Sequence, residues 1–246
     1  DAESPKNSMP ISNVPMAPNP VQMMYAVLTG IALWAKYRNT PLNAIQGFVQ
    51  MLQPNSEDEQ FMVGEIRSNS DKLKSLIDST IALSDYESES TTLEAHPTSV
   101  LMACTTAIES CSAMCKENVT LGMAYDKKDI EVSLNGQALV QMLHCLIENA
   151  LKFTQEGSVT VDYHMAGNQL VIEVTDTGTG IPMSERERVF ERFIKLDNCI
   201  PGFGLGLPLA RTIAHRMGGE ISFDADYQQG IKVKVQIPVT LQNLTN

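Results

Sequence analysis

The residues best suited to chemistry are glycines that recur at every second position late in the chain. Gly202, Gly204 and Gly206 directly precede a predicted helix at about 207–217. Alternating glycines let backbone N–H groups approach a ligand closely, and the N-terminus of a helix favours negative charge. The pattern indicates a loop that cradles phosphate, although a short glycine run is weak evidence by itself.

A second glycine pair directly follows a predicted strand. Asp176 ends a run of alternating apolar residues, and Gly178 and Gly180 come next. A carboxylate at the end of a strand can accept a hydrogen bond from the exocyclic amine of adenine. Glycines let the backbone pass close to the base. A plain turn after a strand explains this segment equally well when it is considered alone.

A predicted helix over residues 136–153 carries side chains that suit a triphosphate with its metal. Asn149 and Lys152 lie about one turn apart on this helix. The amide oxygen of asparagine is a ligand for Mg²⁺, and a lysine meets phosphate as a point charge. Taken alone, these two residues fit an ordinary surface helix better.

An aromatic pair and a cation lie between the two glycine groups. Phe190 and Phe193 are spaced to anchor a mobile lid, the segment between Phe193 and Gly202, and Lys195 is placed to reach phosphates. A short amphipathic turn is the simpler interpretation of this segment by itself. The four segments together, in this order, predict a site for ATP and Mg²⁺.

The spacing of apolar residues predicts the elements that position these segments. Residues 21–87 show helical periodicity interrupted once, which predicts a helical hairpin. Because a hairpin leaves its apolar stripe uncovered, we expect two chains to form a dimeric four-helix bundle. Residues 1–20 are expected to form a loose leader and residues 88–97 a linker. Residues 98–240 mix helices with strands and predict an α+β two-layer sandwich, with helices on one face of a mixed sheet.

Composition excludes some partners and favours a cellular setting. The net charge of −11 opposes binding to duplex nucleic acid. Five cysteines without framework spacing favour a reduced, cytoplasmic setting. The longest apolar run, at about 21–35, is too short to cross a bilayer, which takes about 20 apolar residues. A membrane anchor upstream of this chain stays open.

In order and spacing, the four segments resemble those of the sensor histidine kinases of two-component signalling. The family's N box, first glycine box, F box and second glycine box are similar to residues 148–154, 176–182, 189–193 and 202–207. Upstream, Thr40-Pro41-Leu42 is similar to the end of the box that carries the phosphate-accepting histidine. The resemblance covers about residues 21–240. It implies a dimerisation hairpin joined to an ATP-binding sandwich domain of the histidine kinase type.

The resemblance implies a role for each matched residue. Asn149 would coordinate Mg²⁺, and Lys152 would approach the phosphates. Asp176 would contact adenine in a pocket shaped by Gly178 and Gly180. The lid and the phosphate loop would be formed by Phe190, Phe193, Lys195, Gly202, Gly204 and Gly206.

The chain departs from the family where the family accepts phosphate. Lys36 stands at the position of the histidine, and Tyr37 at that of the acid that takes up the histidine proton. A neutral imidazole has a free lone pair, whereas a lysine ammonium has none. Cys145 replaces the first asparagine of the N box. The chain has four histidines, none in the predicted hairpin: His96, His144, His164 and His215.

These departures predict a transmitter core that binds ATP and Mg²⁺ but does not phosphorylate itself at Lys36. Three alternatives stay open. The chain could be an active kinase that uses another acceptor, or a non-enzymatic dimeric adaptor. It could also be a phosphatase that acts through Thr40 on the receiver domain of a response regulator, the partner that the resemblance implies.

Overall fold

The computed structural model describes residues 20–53, 58–88, 92–197 and 199–241, with side chains between residues 30 and 239. Apart from Pro20, the predicted leader lies outside these residues, as does part of the predicted linker. None of the described helices is long and apolar enough to cross a membrane.

Two long helices form the predicted hairpin. Helix α1 spans Pro20–Met51 and helix α2 spans Glu59–Glu87. Helix α1 continues through Pro41, which has no N–H to donate to the carbonyl one turn earlier. Many large apolar side chains of the hairpin are exposed: Ile31, Leu42, Val49, Met51, Phe61, Val63, Ile77 and Ile81. The single chain therefore leaves an apolar surface uncovered on its hairpin.

The rest of the chain folds as helices packed on one five-stranded sheet, beside a smaller sheet. The strands are β1 (His96–Ser99), β2 (Val119–Met123), β3 (Glu131–Leu134), β4 (Gly157–Ala166), β5 (Gln169–Asp176), β6 (Glu220–Phe223), β7 (Ile231–Pro238) and β8 (Thr240–Leu241). The helices are α3 (Val100–Cys111), α4 (Gly136–Phe153) and α5 (Gly206–Arg216). The larger sheet has the order β2-β4-β5-β7-β6, and the smaller has β1-β3-β8. Only the β2–β4 pair is parallel among the described strand pairs.

Polar contacts fix both ends of α4, the helix that carries Asn149. At its start, the side chain of Asn135 accepts from the N–H of Ala138 at 2.9 Å. At its end, the Lys116 ammonium donates to the carbonyl of Thr154 at 2.7 Å and also reaches that of Leu151. A cation at a helix C-terminus is favoured by the helix dipole. These contacts fix where α4 begins and ends.

The hairpin is joined to the sandwich at the end of α2. A guanidinium nitrogen of Arg216 donates to the carbonyls of Tyr86, at 3.0 Å, and Ser88, at 2.6 Å. The Tyr86 hydroxyl donates to Gln141 on α4 at 2.9 Å. Arg192 pairs with Glu87. The two bonds from Arg216 satisfy carbonyl groups that the end of a helix leaves without partners.

The hairpin and the α+β two-layer sandwich are the predicted fold. Strand β1 begins at His96, inside the segment predicted as linker, and pairs with β3. Its proline and its short length hid it from the sequence pattern.

Candidate functional site

The four segments surround one cavity of about 670 Å³. Its walls come from α4, the start of α5, the loops between β5 and α5, and the facing side of α2. Most of the predicted binding residues line it: Asn149, Lys152, Asp176, Gly180, Lys195, Gly202, Gly204 and Gly206. The two glycine loops therefore fold toward each other around an open space.

Six predicted residues do not line the cavity. Gly178 lies behind Asp176, and two aromatic residues, Phe190 and Phe193, are buried beneath the lid. The other three are Lys36, Tyr37 and Thr40 of α1. Within the described residues, the hairpin contributes only α2 to the cavity wall, through residues such as Asp71, Lys74 and Asp78.

Asp176 lies at the end of β5 and is only 5% exposed. Its Oδ1 accepts from the backbone N–H groups of Gly178, at 2.8 Å, and Ile231, at 3.2 Å. Burial raises the pKa of this carboxyl, while the two N–H groups lower it. Within the described residues, both protein donors reach Oδ1, so Oδ2 is left to accept from a donor inside the cavity. An exocyclic amine of a base is such a donor.

The backbone packs tightly around Asp176. A Cβ on Gly178 would lie 2.5 Å from the carbonyl oxygen of Phe153, and one on Gly230 would lie 2.2 Å from that of Asp176. The Tyr227 hydroxyl donates to the same Asp176 carbonyl at 3.1 Å. Gly230 and Tyr227 are not among the residues that the sequence pattern predicted. A glycine just before a strand was the only available signal, and it has many other uses.

Lys152 points its charge toward the second glycine loop. Its ammonium pairs with Glu148 at 2.7 Å, and a Cβ on Gly202 would lie 3.4 Å from the same nitrogen. The ammonium therefore lies against the loop backbone at the cavity surface. Asn149, the neighbour of Glu148, also lines the cavity, so an amide oxygen and a cation are available on one face of α4.

The second glycine loop presents backbone donors. Helix α5 begins at Gly206, and Leu205 at its N-cap makes no side-chain capping bond. The first N–H groups of a helix have no partner within the helix and bind anions well. The loop is fixed at its base, because the N–H of Phe193 donates to the carbonyl of Gly204 at 2.9 Å.

Comparison with known proteins agrees with this geometry. Residues 134–241 match the family described as histidine kinase-, DNA gyrase B-, and HSP90-like ATPase, and residues 39–89 match the His Kinase A (phospho-acceptor) domain. The sensor histidine kinase GacS of Pseudomonas protegens is 30% identical over 82% of this chain, and RcsC of Escherichia coli is 32% identical over 81%. The chain belongs to the sensor histidine kinase family.

The chain corresponds to the transmitter core of such a kinase. It spans about a quarter of the curated relatives it matches, 24% of GacS and 22% of RcsC. The fold is also shared with solved structures. Full-length ShkA in complex with AMPPNP gives a TM-score of 0.68 at 24% identity, covering 86% of this chain and 46% of that one. ThkA in complex with the response regulator TrrA gives 0.71 at 21%, covering 89% and 64%.

The match to the phospho-acceptor domain begins at residue 39, after Lys36. Lys36 itself is exposed on α1. Thr40 is also exposed, and its hydroxyl donates to the carbonyl of Lys36 at 3.0 Å, one turn back along α1. The hydroxyl hydrogen of Thr40 is thus engaged within the helix.

Tyr37 connects the hairpin to the lid. Its ring stacks on Phe193 at a centroid distance of 5.8 Å and meets Phe203 edge-on at 5.9 Å. These two residues lie on either side of the lid segment. Phe193 itself has a left-handed backbone, with φ of 64°, which is unusual for a bulky residue and needs support from its surroundings. Tyr37 is therefore part of the packing that holds the lid.

We expect Tyr37→Ala to loosen the lid. Aromatic pairs contribute about 0.5–1.5 kcal/mol beyond the burial of their surface, and this change removes two of them. Backbone amides between Phe193 and Gly206 should exchange with deuterium faster, while those of β5 should not change. Tyr37→Phe keeps the ring and should exchange like the unchanged protein; equal protection in the alanine variant would contradict the role given to Tyr37.

Proposed function

We propose that this transmitter core binds ATP with Mg²⁺, dimerises through residues 21–87 and does not phosphorylate itself at Lys36. The observation that supports binding most strongly is the single cavity on which the carboxylate of Asp176, the cation of Lys152 and the donors at Gly206 converge. One end of the cavity suits a base and the other suits a phosphate chain. The solved complex of ShkA with AMPPNP is a further support, since its fold is shared.

The residues present fit a magnesium ion. Mg²⁺ usually keeps several waters and is held by one or two side-chain oxygens together with substrate phosphates. Asn149 supplies a side-chain oxygen at the cavity surface. A bound Mg²⁺ would offset the negative charge of the phosphates.

The hairpin supports dimerisation. The match to the His Kinase A domain covers α2 and the end of α1. The exposed apolar side chains of both helices, among them Ile31, Val49 and Ile81, need a partner to be removed from water. A second hairpin would bury them in a four-helix bundle.

Two features argue against phosphorylation of the hairpin. The side chain at the acceptor position is an exposed ammonium, which has no lone pair for attack on phosphorus. Tyr37 replaces the acid and is packed against Phe193. The position therefore lacks both the nucleophile and the proton acceptor.

Incubation with γ-labelled ATP and Mg²⁺ tests the proposal. We expect no acid-labile label on residues 21–87, and we expect ATP at 100 times its Kd to stabilise the fold by about 2.7 kcal/mol. Label on the hairpin would refute the first statement. Absence of any stabilisation by ATP would favour the alternative of a non-enzymatic adaptor.

Restoring the missing groups provides a matched control. The double change Lys36→His with Tyr37→Glu rebuilds the family's pair, whereas Lys36→His alone keeps the packing of Tyr37 on the lid. Acid-labile label in either variant, and none in the unchanged chain, would show that the acceptor position is the only missing part.

The partner we propose is the receiver domain of a response regulator, as in the solved complex of ThkA with TrrA. The alternative is that the chain removes phosphate from that domain, with Thr40 taking part. It requires the Thr40 hydroxyl to leave its bond to the Lys36 carbonyl. Unchanged dephosphorylation of the regulator by a Thr40→Ala variant would exclude it. Transfer of label to a co-incubated protein would instead favour an active kinase with another acceptor.

A further inference from the structure

The connection between β6 and β7 lies behind the end of the cavity that suits a base. It comprises residues 224–230, and its last residue, Gly230, is buried against the end of β5. A Cβ on Gly230 would lie 2.2 Å from the carbonyl oxygen of Asp176 and 2.8 Å from the nitrogen of Gly178. The next residue, Ile231, donates its N–H to Oδ1 of Asp176. This part of the chain therefore touches both the backbone and the side chain of Asp176.

Tyr227 is the side chain of this connection that turns inward. It is half-buried, whereas its neighbours are exposed: Ala225, Asp226, Gln228 and Gln229. Its hydroxyl donates to the carbonyl of Asp176 at 3.1 Å. Burial raises the pKa of the Tyr227 phenol, and the Asp176 carboxylate raises it further. The hydroxyl therefore keeps its hydrogen, and with it this bond, at neutral pH.

Lys232 fixes the ring of Tyr227. Its ammonium lies 5.6 Å from the centre of that ring. The same ammonium lies 3.9 Å from the carboxylates of Glu173, on β5, and Asp224, at the start of the connection. These three charged side chains are no more than 33% exposed, so solvent screens their attraction less than at an open surface. The ring of Tyr227 is thereby held beside the end of β5.

Arg186 joins the same connection to the first glycine loop. Its guanidinium donates to the carbonyl of Asp224 at 2.9 Å and to that of Ile181 at 3.4 Å. Ile181 lines the cavity directly after Gly180. The guanidinium also lies 5.9 Å from the centre of the Phe223 ring, at the end of β6. The connection is thus tied to the glycine loop as well as to β5.

We propose that Tyr227 and Arg186 are positioning residues for the base-binding end of the cavity. This inference rests on the proposed binding of ATP. Neither side chain lines the cavity, so each acts through the backbone carbonyl of a residue that does. Tyr227 acts through Asp176, and Arg186 acts through Ile181. When such a carbonyl is released, the wall adopts other conformations, and the apparent affinity falls with the fraction of molecules that can still bind.

Calorimetric titration of the 246-residue chain with ATP and, separately, with inorganic triphosphate, both with Mg²⁺, tests the assignment. Inorganic triphosphate has no base, so it reports on the phosphate end of the cavity alone. Tyr227→Phe removes only the hydroxyl and should weaken ATP binding roughly 3- to 10-fold, as expected for one hydrogen bond. Arg186→Gln removes bonds from a charged group and should weaken it at least about tenfold. Both variants should bind inorganic triphosphate like the unchanged chain.

Two matched controls remove the same groups away from the cavity. Tyr125→Phe changes a tyrosine that is 71% exposed and also has a lysine ammonium, that of Lys127, 5.8 Å from its ring centre. Arg188→Gln changes an exposed arginine that pairs with Glu185. Both controls should bind ATP like the unchanged chain.

A double variant tests whether Tyr227 acts through Asp176. In an Asp176→Asn background, Tyr227→Phe should weaken ATP binding less than it does in the unchanged chain, because the carboxylate that it positions is gone. The inference is overturned if Tyr227→Phe and Arg186→Gln bind ATP normally, if they weaken inorganic triphosphate as much as ATP, or if the effect of Tyr227→Phe is the same in both backgrounds. If the unchanged chain binds neither ligand, the proposed function fails and this inference fails with it.

Discussion

Asp176→Asn is expected to weaken ATP binding on the order of 10- to 100-fold while the fold persists. A hydrogen bond to a charged group contributes roughly 1.5–3 kcal/mol, which corresponds to this range. The asparagine oxygen can still accept from the N–H groups of Gly178 and Ile231, which now bond to Oδ1. Its amide nitrogen would then take the place of Oδ2 at the cavity. Both this nitrogen and the exocyclic amine of the base are hydrogen-bond donors, so the bond to the base would be lost.

Calorimetric titration with ATP measures this effect directly. Asp162→Asn serves as the control, because Asp162, on β4, pairs with Lys127 and does not line the cavity. It should bind ATP normally. An Asp176→Asn protein that binds as tightly as the unchanged chain would show that the base lies elsewhere.

The pH dependence of binding gives the same carboxylate a second signature. Burial raises the pKa of Asp176, so acidification protonates it earlier than an exposed aspartate. Because the charged form is the one that accepts from the base, ATP affinity should fall as the pH falls through this raised pKa. The stability of the protein without ATP has the opposite pH dependence. Because the pKa is raised in the folded state, the protonated carboxyl stabilises the fold at low pH, and this contribution is lost as the pH rises through the raised pKa. Asp176→Asn should remove both dependences.

Gly204→Ala is expected to lower both the stability of the lid and the affinity for ATP. Gly204 has φ of +68°, and a Cβ there would lie 2.4 Å from the carbonyl oxygen of Ile194 and 2.9 Å from its nitrogen. The left-handed conformation alone costs an alanine roughly 1–2 kcal/mol. The clash is with backbone, so the lid must move, and the bond from the Phe193 N–H to the Gly204 carbonyl would be lost. We expect ATP affinity to fall by at least about tenfold, which is about 1.4 kcal/mol.

The free energy of unfolding in denaturant and the Kd for ATP are both needed for this variant. Gly122→Ala is the matched control, since Gly122 lies on β2 and a Cβ there meets nothing within 4 Å. It should leave both values nearly unchanged. Normal ATP affinity in Gly204→Ala would mean that the second glycine loop does not hold the phosphates.

The sequence predicted the elements that depend on local patterns. The hairpin followed from apolar spacing, and α4 and α5 lie within one residue of their predicted bounds. Strands β1 and β8 were missed because they are short, and their pairing with β3 joins distant parts of the chain. The cavity wall from α2 was also missed, since no local pattern says which helix faces a site.

By itself the sequence determined the chemistry that is available: a carboxylate after a strand, glycines where the backbone turns sharply, and an amide and a cation one turn apart. Only the tertiary structure decided which of these groups meet. Tyr37 packs on Phe193, and Asp176 accepts from the N–H of the remote Ile231. The physical reason is that helix and strand periods are set by neighbouring residues, whereas contacts between remote residues are set by how the apolar faces of whole elements pack together.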